Sequence, residues 1–389
     1  MKIRCLVERL IREEAHVLVF CSCLAVSFYF LYKYIVTRYI HLVPYLIIFS
    51  IPFLLAMTIV MILTPFVIVI ARWSNIMDKT VISKESKFPT PLLGGIAVYL
   101  SFVIVSLLCR PMYPELGSML VAGTIIFILG TIDDVFPLSS FIRLGGQIIA
   151  SFIVMSSGLM VSFMPHTPLG ITIACLITLL WILGIINSVN FFDGADGLAT
   201  GITFISSMFF FLITLHLQQY HVCLPAVILC GCCAGFFIFN FKPAKIYLGD
   251  GGSTFLGFIL ACIALYGGWS DRHPVVALGI PTLILGVLIF DMVYITISRV
   301  TTGKVKSFRE WLDYTGRDHF HHRLMDLGFS ERNAVLFIFI TCLTLGLGAL
   351  QLEKAQTSYP VVIQIIQAVF IFLVITLLML TGREKVNKI

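Results

Sequence analysis

Long apolar stretches separated by short polar loops run through almost the whole chain. Twelve of them approach the about 20 residues that a membrane-spanning helix needs, and they lie near residues 15–35, 44–71, 93–109, 118–132, 144–160, 170–186, 202–216, 222–239, 254–268, 275–298, 334–351 and 360–381. Several of these segments are short, so eleven spans would also fit. The pattern predicts an all-α polytopic membrane protein of about twelve transmembrane helices.

Composition supports the same class. Hydrophobic residues make up 59% of the 389 residues and charged residues 12%, whereas soluble domains carry about 25% charged residues. Such a composition excludes a soluble globular protein and leaves no stretch of chain for a separate soluble domain.

The charges orient the predicted bundle. Twelve spans place both termini on one side, and that side holds 21 of the 26 Lys and Arg residues. By the positive-inside rule both termini are therefore predicted to be cytoplasmic. The net charge of +6 then reflects topology, and no nucleic-acid partner is expected. No small-residue cleavage site follows the first segment, which indicates an uncleaved first span.

Acidic residues gather on this predicted cytoplasmic side. Asp133 and Asp134, in the sequence GTIDDVF, end the fourth span. Two adjacent carboxylates suit a hard divalent cation, or a base beside a metal ligand, although a solvated helix end would explain them too.

The stretch NSVNFFDGADGLATG (187–201) lies between two apolar segments and is predicted to be a loop. Asp193 and Asp196 are three residues apart, so they share one face if they open the next helix. Helix capping is the simpler explanation for such carboxylates. Capping does not account for Asn187 and Asn190, whose amides suit a nucleobase or a metal.

A glycine-rich turn, YLGDGGS, stands at the start of another apolar segment. Backbone N–H groups at such a turn bind anions, usually phosphate. Gly249 and Ser253 are therefore candidates for substrate binding, and Asp250 is a candidate for carrying Mg²⁺ to the phosphate. The alternative is a tight turn between helices.

Histidines and arginines cluster in GRDHFHHRL (316–324). In a helix, His319, His322 and Arg323 would share a face while His321 points away. We favour binding of diphosphate or sugar oxygens over a zinc site, which lacks a fourth ligand, or a solvated surface. Asp291 lies inside the tenth span, about 12 Å from its end at Arg299 by the helical rise, and ionisable residues at such depth favour function.

These motifs together resemble the polyprenyl-phosphate N-acetylhexosamine-1-phosphate transferases. These bacterial enzymes start the lipid intermediates of O-antigen, enterobacterial common antigen, teichoic acid and peptidoglycan. The matching motifs cover roughly residues 60–330 in the order of the family, and they are TPLLGGIAVYL, GTIDDVF, NSVNFFDGADGLATG, NFKPAKIYLGDGGSTFLG, FDMVYITISR and DHFHHRL.

The resemblance implies a bundle with catalytic cytoplasmic loops, a UDP-sugar and undecaprenyl phosphate as substrates, and Mg²⁺ or Mn²⁺ as cofactor. It implies that Asp133 is the base for the lipid phosphate, with Asp134 beside it. Asp250 and Asn190 match metal ligands. Asp193 and Asp196 match residues of the nucleotide and metal region, and Lys87 and Asn240 match positions near the uridine. The cluster of His319, His321 and His322 resembles the signature of the branch that uses UDP-GlcNAc or related sugars. We therefore expect catalytic roles for Asp133, Asp134, Asp193, Asp196, His321 and His322, and substrate binding by Lys87, Asn187, Asn190, Asn240, His319 and Arg323.

The expected reaction transfers a sugar-1-phosphate, GlcNAc-1-phosphate or that of a related N-acetylhexosamine, and releases UMP in the bacterial inner membrane. Residues 1–43 would be an additional span, 44–333 the transferase core and 334–389 the C-terminal spans and tail. The expected partners are the two substrates and membrane lipids, and the sequence does not decide between a monomer and a homodimer. A proton- or ion-coupled transporter using Asp133, Asp134 and Asp291 is the main alternative, although no inverted repeat supports it. A non-catalytic scaffold does not explain the clustered motifs.

Overall fold

The structure is a computed structural model that describes residues 43–78, 89–109, 113–161, 163–165, 167–269, 274–314, 316–354 and 358–387. Phe49–Ile389 form one compact unit, and every feature of the site described below lies within it. The predicted span near 15–35 and Lys87 lie outside the described residues, and the proposed boundaries at 43/44 and 333/334 stay predictions.

The described part consists of fourteen α-helices and one short antiparallel hairpin. In chain order they are α1 Val43–Trp73, β1 Met77–Asp78, β2 Thr90–Pro91, α2 Gly95–Leu108, α3 Pro114–Val135, α4 Ser140–Ser156, α5 Pro168–Phe192, α6 Leu198–His216, α7 Tyr220–Asn240, α8 Gly249–Tyr266, α9 Pro274–Ile284, α10 Gly286–Thr301, α11 Phe308–Asp313, α12 Phe320–Asp326, α13 Glu331–Glu353 and α14 Ser358–Asn387.

The prediction of an all-α polytopic membrane protein is confirmed. Eight of the described helices are long and apolar enough to cross a membrane, or nine when α9 and α10 count as one bent span. The helices α2 and α4 are apolar but shorter. Every predicted segment from 44–71 onward coincides with one of these helices or with the bent pair. The total of twelve spans stays a prediction.

Burial separates inner helices from outer ones. In α6, α7 and α8, 78% of the most apolar stretch is buried inside the protein, against 22% in α1 and 11% in α14. The outer helices expose large apolar side chains such as Ile51 and Phe370, which in a bilayer would face lipid. The helices α6–α8 therefore form the buried centre of the bundle.

Glycines allow α3 and α8 to approach closely at the polar end of the bundle. A Cβ atom at Gly130 would lie 2.6 Å from the Cα atom of Gly251, and one at Gly251 would lie 2.8 Å from the backbone nitrogen of Thr131. Side chains at these positions would push the helices apart. The contact places the Asp133–Asp134 pair of α3 directly beside the first turn of α8.

The helix α5 extends further than the sequence pattern predicts. Residues 187–192 continue α5 to Phe192, so the expectation that Asn187 and Asn190 lie in a loop is wrong. Only residues 193–197 form the turn to α6. The apolar side chains of Val189 and Phe192 are buried, and their packing keeps this polar sequence helical.

An 83° bend separates α9 from α10. The bend turns α10 so that its buried residues, which include Asp291, Ile295 and Arg299, lie along one face. These positions are four residues apart, the spacing that places side chains in one row of an α-helix. The face meets the segment that leads into α12.

Candidate active site

Two aspartates cap the start of α8, one at the end of α3 and one in the turn after α5. Asp134 accepts hydrogen bonds from the backbone N–H groups of Asp250 (2.7 Å) and Gly251 (3.1 Å), and Asp193 accepts one from Gly249. The first N–H groups of a helix have no partner within the helix and attract negative charge. The protein's own carboxylates thus occupy the N–H groups of Gly249, Asp250 and Gly251, and phosphate binding by this turn stays a prediction.

Gly249 is required by this arrangement. Its φ angle is +78°, a conformation that only glycine adopts without strain. A Cβ atom there would also lie 2.7 Å from an oxygen of Asp134. Gly249 thus contributes to the site through its backbone conformation and its small size, and its assignment to substrate binding stays a prediction.

Burial and neighbouring charge act together on Asp193. The turn encloses this carboxyl at the end of α5, and its burial, followed by the charges of Asp250 and Asp134, raises the pKa of Asp193 well above its ordinary value. The group consequently retains a proton to higher pH than a solvated aspartate does.

Asp133 points to a different partner from Asp134. One of its oxygens accepts the backbone N–H of Leu138 (2.6 Å) and the other lies 2.9 Å from Nη1 of Arg143. The same guanidinium nitrogen lies 3.9 Å from Asp250. Arg143 therefore stands between two carboxylates that come from α3 and α8.

These groups line a cavity of about 240 Å³ at the ends of α3, α4, α5 and α8. The polar part of its wall comprises Asp133, Ser140, Arg143, Gln147, Asn187, Asn190, Asp250 and Thr254, and the apolar part includes Ile126, Leu129, Leu144, Phe191 and Leu312. Pockets that enclose a whole drug-sized ligand measure about 300–1,000 Å³. The cavity thus has room for reacting phosphate groups, while the rest of a nucleotide or lipid would extend beyond it.

The two asparagines of α5 face this cavity but have different partners. Asn190 donates from Nδ2 to Asp250 (2.9 Å) and to the Ser253 hydroxyl (2.8 Å), which leaves its carbonyl oxygen for a ligand. Asn187 donates to Gln147 (3.0 Å) and to the Leu183 carbonyl. Ser253 is fully buried and acts here by orienting Asn190.

The donor atoms beside Asp250 fit a magnesium or manganese ion. Carboxylate oxygens of Asp250 and the carbonyl oxygen of Asn190 are the hard ligands that Mg²⁺ prefers. Across the described residues, no three His, Cys, Asp or Glu side chains are grouped to enclose a metal ion. Mg²⁺ usually binds through one or two carboxylates together with water and substrate phosphates, so an open donor set of this kind suits it.

Asp196 and Asn240 lie on the far side of the turn and brace the loop before α8. Asp196 accepts the backbone N–H of Ala244 (3.0 Å), and its own N–H donates to Glu331. Glu331 also pairs with Lys242. Asn240 is buried, accepts from Thr200 (2.8 Å) and donates to the Ile246 carbonyl. Neither residue lines the cavity around Asp250.

The histidine motif forms the short helix α12, which starts immediately after His319. The ring of His321 lies 4.0 Å from that of His322 and 6.3 Å from that of His319, measured between centroids. The expectation that His321 points away from the other two is wrong, because the helix begins only at Phe320. His321 faces the turn at Gly194, where a Cβ atom would lie 3.4 Å from its Nε2 atom.

Burial keeps two of these rings uncharged. It lowers the pKa of His322 to about 4 and that of His321 well below its ordinary value, and neighbouring histidines and Arg317 lower both further. Within the described part of the chain, both ring nitrogens of His321 and the Nδ1 atom of His322 are buried without a hydrogen-bond partner. Such atoms are rare in folded proteins and call for a ligand. Arg323, by contrast, pairs with Asp326 at 3.2 Å.

Sequence reasoning missed three contributors to the site. Arg143 is the only basic residue between 133 and 143, and its isolation beside Asp133 was a usable signal. Gln147 follows one helical turn later on the same face of α4. Glu331, which contacts Asp196 from the start of α13, gave no local signal.

The chain is similar in sequence to a known protein family. Residues 116–268 match the model of glycosyl transferase family 4. A Bacillus subtilis (strain 168) protein named probable undecaprenyl-phosphate N-acetylglucosaminyl 1-phosphate transferase is 30% identical over 326 residues, which cover 82% of this chain and 88% of that protein.

Two further relatives carry related names. The decaprenyl-phosphate N-acetylglucosaminephosphotransferase of Mycobacterium leprae (strain TN) is 30% identical over 67% of this chain and 73% of its own. The phospho-N-acetylmuramoyl-pentapeptide-transferase of Caldicellulosiruptor bescii is 27% identical over 78% of this chain and 96% of its own. This chain therefore belongs to glycosyl transferase family 4, as one of its polyprenyl-phosphate sugar-phosphate transferases.

Proposed function

We propose that the protein transfers N-acetylglucosamine-1-phosphate, or the phosphate of a related N-acetylhexosamine, from a UDP-sugar to undecaprenyl phosphate. The products are undecaprenyl-diphospho-sugar and UMP. The reaction would be the first membrane step of a cell-surface polysaccharide in the bacterial inner membrane. The charge distribution of the loops supports a site on the cytoplasmic side, where both termini would also lie.

One observation carries this proposal. A single cavity joins a polar wall containing Asp133, Arg143, Asn190 and Asp250 to an apolar wall of leucine and isoleucine. A polyprenyl phosphate has these two chemistries in one molecule, a phosphate group on an apolar chain. The apolar wall can bury isoprenoid surface by the hydrophobic effect while the phosphate meets Arg143.

In the reaction, an oxygen of the lipid phosphate attacks the phosphorus that carries the sugar. A new oxygen–phosphorus bond forms there, and the bond from that phosphorus to the UMP oxygen breaks. Asp133 takes the last proton of the lipid phosphate if one is present. Arg143 holds the incoming anion, which lowers the repulsion between two negatively charged substrates.

The remaining residues position the reactants. Asp134 and Asp193 fix the first turn of α8 and thereby the carboxylate of Asp250. Asp250 and Asn190 would hold Mg²⁺ or Mn²⁺, and a bound ion supplies neutralisation of the diphosphate charge. Both ring nitrogens of His321 and the Nδ1 atom of His322, which have no partner among the described residues, would meet the sugar-phosphate end of the donor. The loop braced by Asp196 and Asn240 lies next to this end and would face the nucleotide.

The transporter alternative has little support in the site. A proton relay needs carboxylates in sequence along a path through the bundle. Asp133 and Asp134 instead lie at one helix end, and Asp291 is enclosed by partners from the segment before α12.

The direct test is purified protein incubated with undecaprenyl phosphate, Mg²⁺ and a panel of UDP-sugars, with UMP release and the lipid product measured. We expect UMP release with UDP-N-acetylhexosamines and none when undecaprenol replaces its phosphate. Asp133→Asn should abolish turnover, while Asp326→Asn, which changes a partly exposed carboxylate outside the cavity lining, should not. The proposal would be overturned if UMP were released in the absence of lipid phosphate, or if none of the UDP-sugars tested gave a lipid product.

A further inference from the structure

Asp291 caps a helix to which it does not belong. The residue lies in α10 and is only 1% exposed. One carboxylate oxygen accepts the backbone N–H of Phe320 at 2.8 Å, and the other lies 2.8 Å from Nδ1 of His319. Both oxygens therefore bind the start of α12, which has no side-chain cap of its own.

Arg299 grips the same segment two turns further along α10. It makes a bidentate pair with Asp318, at 3.0 Å from Nε and 2.7 Å from Nη2, and both side chains are buried. Its guanidinium also stacks 4.5 Å above the ring of Tyr314. Because Tyr314 lines the cavity that contains Asp250, Arg299 links the cavity wall to the histidine helix.

These contacts occupy both nitrogens of the His319 ring. A carboxylate accepts, so Nδ1 carries the hydrogen that faces Asp291. Nη2 of Arg299 lies 3.4 Å from Nε2, and a guanidinium only donates, so Nε2 accepts. The ring has no further atom for a substrate. His321 differs, because neither of its ring nitrogens has a partner among the described residues.

We propose that Asp291 and Arg299 are positioning residues of the transferase, and that His319 is a structural pin between them instead of a ligand of the sugar nucleotide. Through His319 and Asp318 they hold α12 so that His321 faces the turn at Gly194. The inference deepens the proposed function, since it divides that site's histidines into one that orients and others that meet the donor. It also revises the sequence-based expectation that His319 binds substrate.

Paired substitutions separate the two roles. An Asn amide places an N–H where His has Nδ1, and a Gln amide places one nearer Nε2. His319→Asn keeps the donor to Asp291 and should retain turnover within about threefold. His319→Gln loses it, and kcat/KM for the UDP-sugar should fall roughly ten- to hundredfold, the usual cost of removing an orienting partner. KM for the lipid phosphate, bound near Arg143, should stay constant.

His321 supplies the matched control. His321 has no protein partner at either ring nitrogen among the described residues and is proposed to contact the substrate. His321→Asn and His321→Gln should therefore both lose turnover, without the difference expected at His319. Equal losses of turnover in His319→Asn and His319→Gln would contradict the structural role of His319. A rise in KM for the UDP-sugar alone, in both variants, would contradict it as well.

Amide hydrogen exchange tests, without any substrate, whether the contacts of Asp291 and Arg299 hold the start of α12. In Asp291→Asn the amide nitrogen would face Nδ1 of His319, so two donors would oppose each other there. The ring could accept at Nδ1 only by moving its hydrogen to Nε2, and Nε2 would then oppose the N–H donor of Arg299. We expect exchange in a peptide covering 318–326 to speed up at least about tenfold, as expected when a hydrogen bond to a charged group is lost, with peptides from α7 unchanged. Unchanged exchange in 318–326 would overturn the proposal. Since this measurement needs no turnover, failure of the positioning role and failure of the transferase assay are distinguishable.

Discussion

Replacement of Asp134 tests whether this residue acts as a helix cap or in the chemistry. Asp134→Ala removes both hydrogen bonds that the carboxylate accepts, from Asp250 at 2.7 Å and from Gly251 at 3.1 Å. Two N–H groups at the start of α8 then lose their partners. Asp134→Asn keeps one acceptor oxygen but turns an amide nitrogen, which can only donate, toward the second N–H.

The size of the effect follows from these two bonds. A hydrogen bond to a charged group contributes about 1.5–3 kcal/mol, and loss of an N-cap side chain costs about 0.5–2 kcal/mol. The carboxylate is half-buried, so water can replace part of the loss. We expect Asp134→Ala to lower the free energy of unfolding by about 2 kcal/mol and Asp134→Asn by about 1 kcal/mol.

The measurement is unfolding in mixed micelles titrated with sodium dodecyl sulfate and followed by tryptophan fluorescence. Asp326→Ala serves as control, because its partly exposed carboxylate pairs with Arg323 at 3.2 Å across one helical turn and provides no cap to α8. An ion pair of this kind within one helix is worth up to about 1 kcal/mol. Turnover measured on the same samples should fall with stability and recover in part in Asp134→Asn. If Asp134→Ala is as stable as Asp326→Ala and yet inactive, the capping argument is refuted and Asp134 acts on the substrates.

Three further predictions concern the metal, pH and topology. Treatment with EDTA should abolish UMP release and Asp250→Asn should require far more Mg²⁺ for the same rate; full turnover in metal-free protein would contradict both. Because burial holds the pKa of His322 at about 4 while an unfolded histidine titrates near about 6.5, the unfolded chain binds the extra proton first as pH falls. As the pH falls from about 6.5 to about 4, the free energy of unfolding of the wild-type protein should therefore drop more than that of His322→Gln. Above about pH 7 the two should change with pH in the same way, and identical pH dependence over the whole range would contradict the prediction. Reporter fusions before Met1 and after Ile389 should both give cytoplasmic signals, and an external signal at either end would contradict the assigned orientation.

Much of the fold could be predicted because hydropathy is a local signal. A span must be apolar over its own length whatever surrounds it, so the segments from 44–71 onward agree with helices. The end of α5 was predicted wrongly for the same reason. Asn187 and Asn190 are polar, but their helical conformation is set by the packing of Val189 and Phe192 against other helices, and that information is not in the local sequence.

The candidate site was predictable in content and less so in arrangement. Sequence reasoning placed Asp133, Asn190 and Asp250 together, and the structure brings all three to one cavity. It could not assign partners. That Asp134 binds N–H groups 116 and 117 residues away, or that Asp291 caps α12, depends on how helices pack, and no residue-type pattern specifies such pairings.

The adjacent aspartates of α3 show how helix geometry divides the work within one motif. Successive residues of an α-helix point about 100° apart, so the carboxylates of Asp133 and Asp134 point in different directions. Asp134 faces the start of α8, where the close approach at Gly130 brings it within reach of two backbone N–H groups. Asp133 faces Arg143 of α4 and the cavity. In this arrangement Asp134 anchors the first turn of α8, which carries Asp250, while Asp133 lines the cavity. Under the proposed function the sequence Asp-Asp would therefore supply one structural anchor and one group for the lipid phosphate at a single helix end.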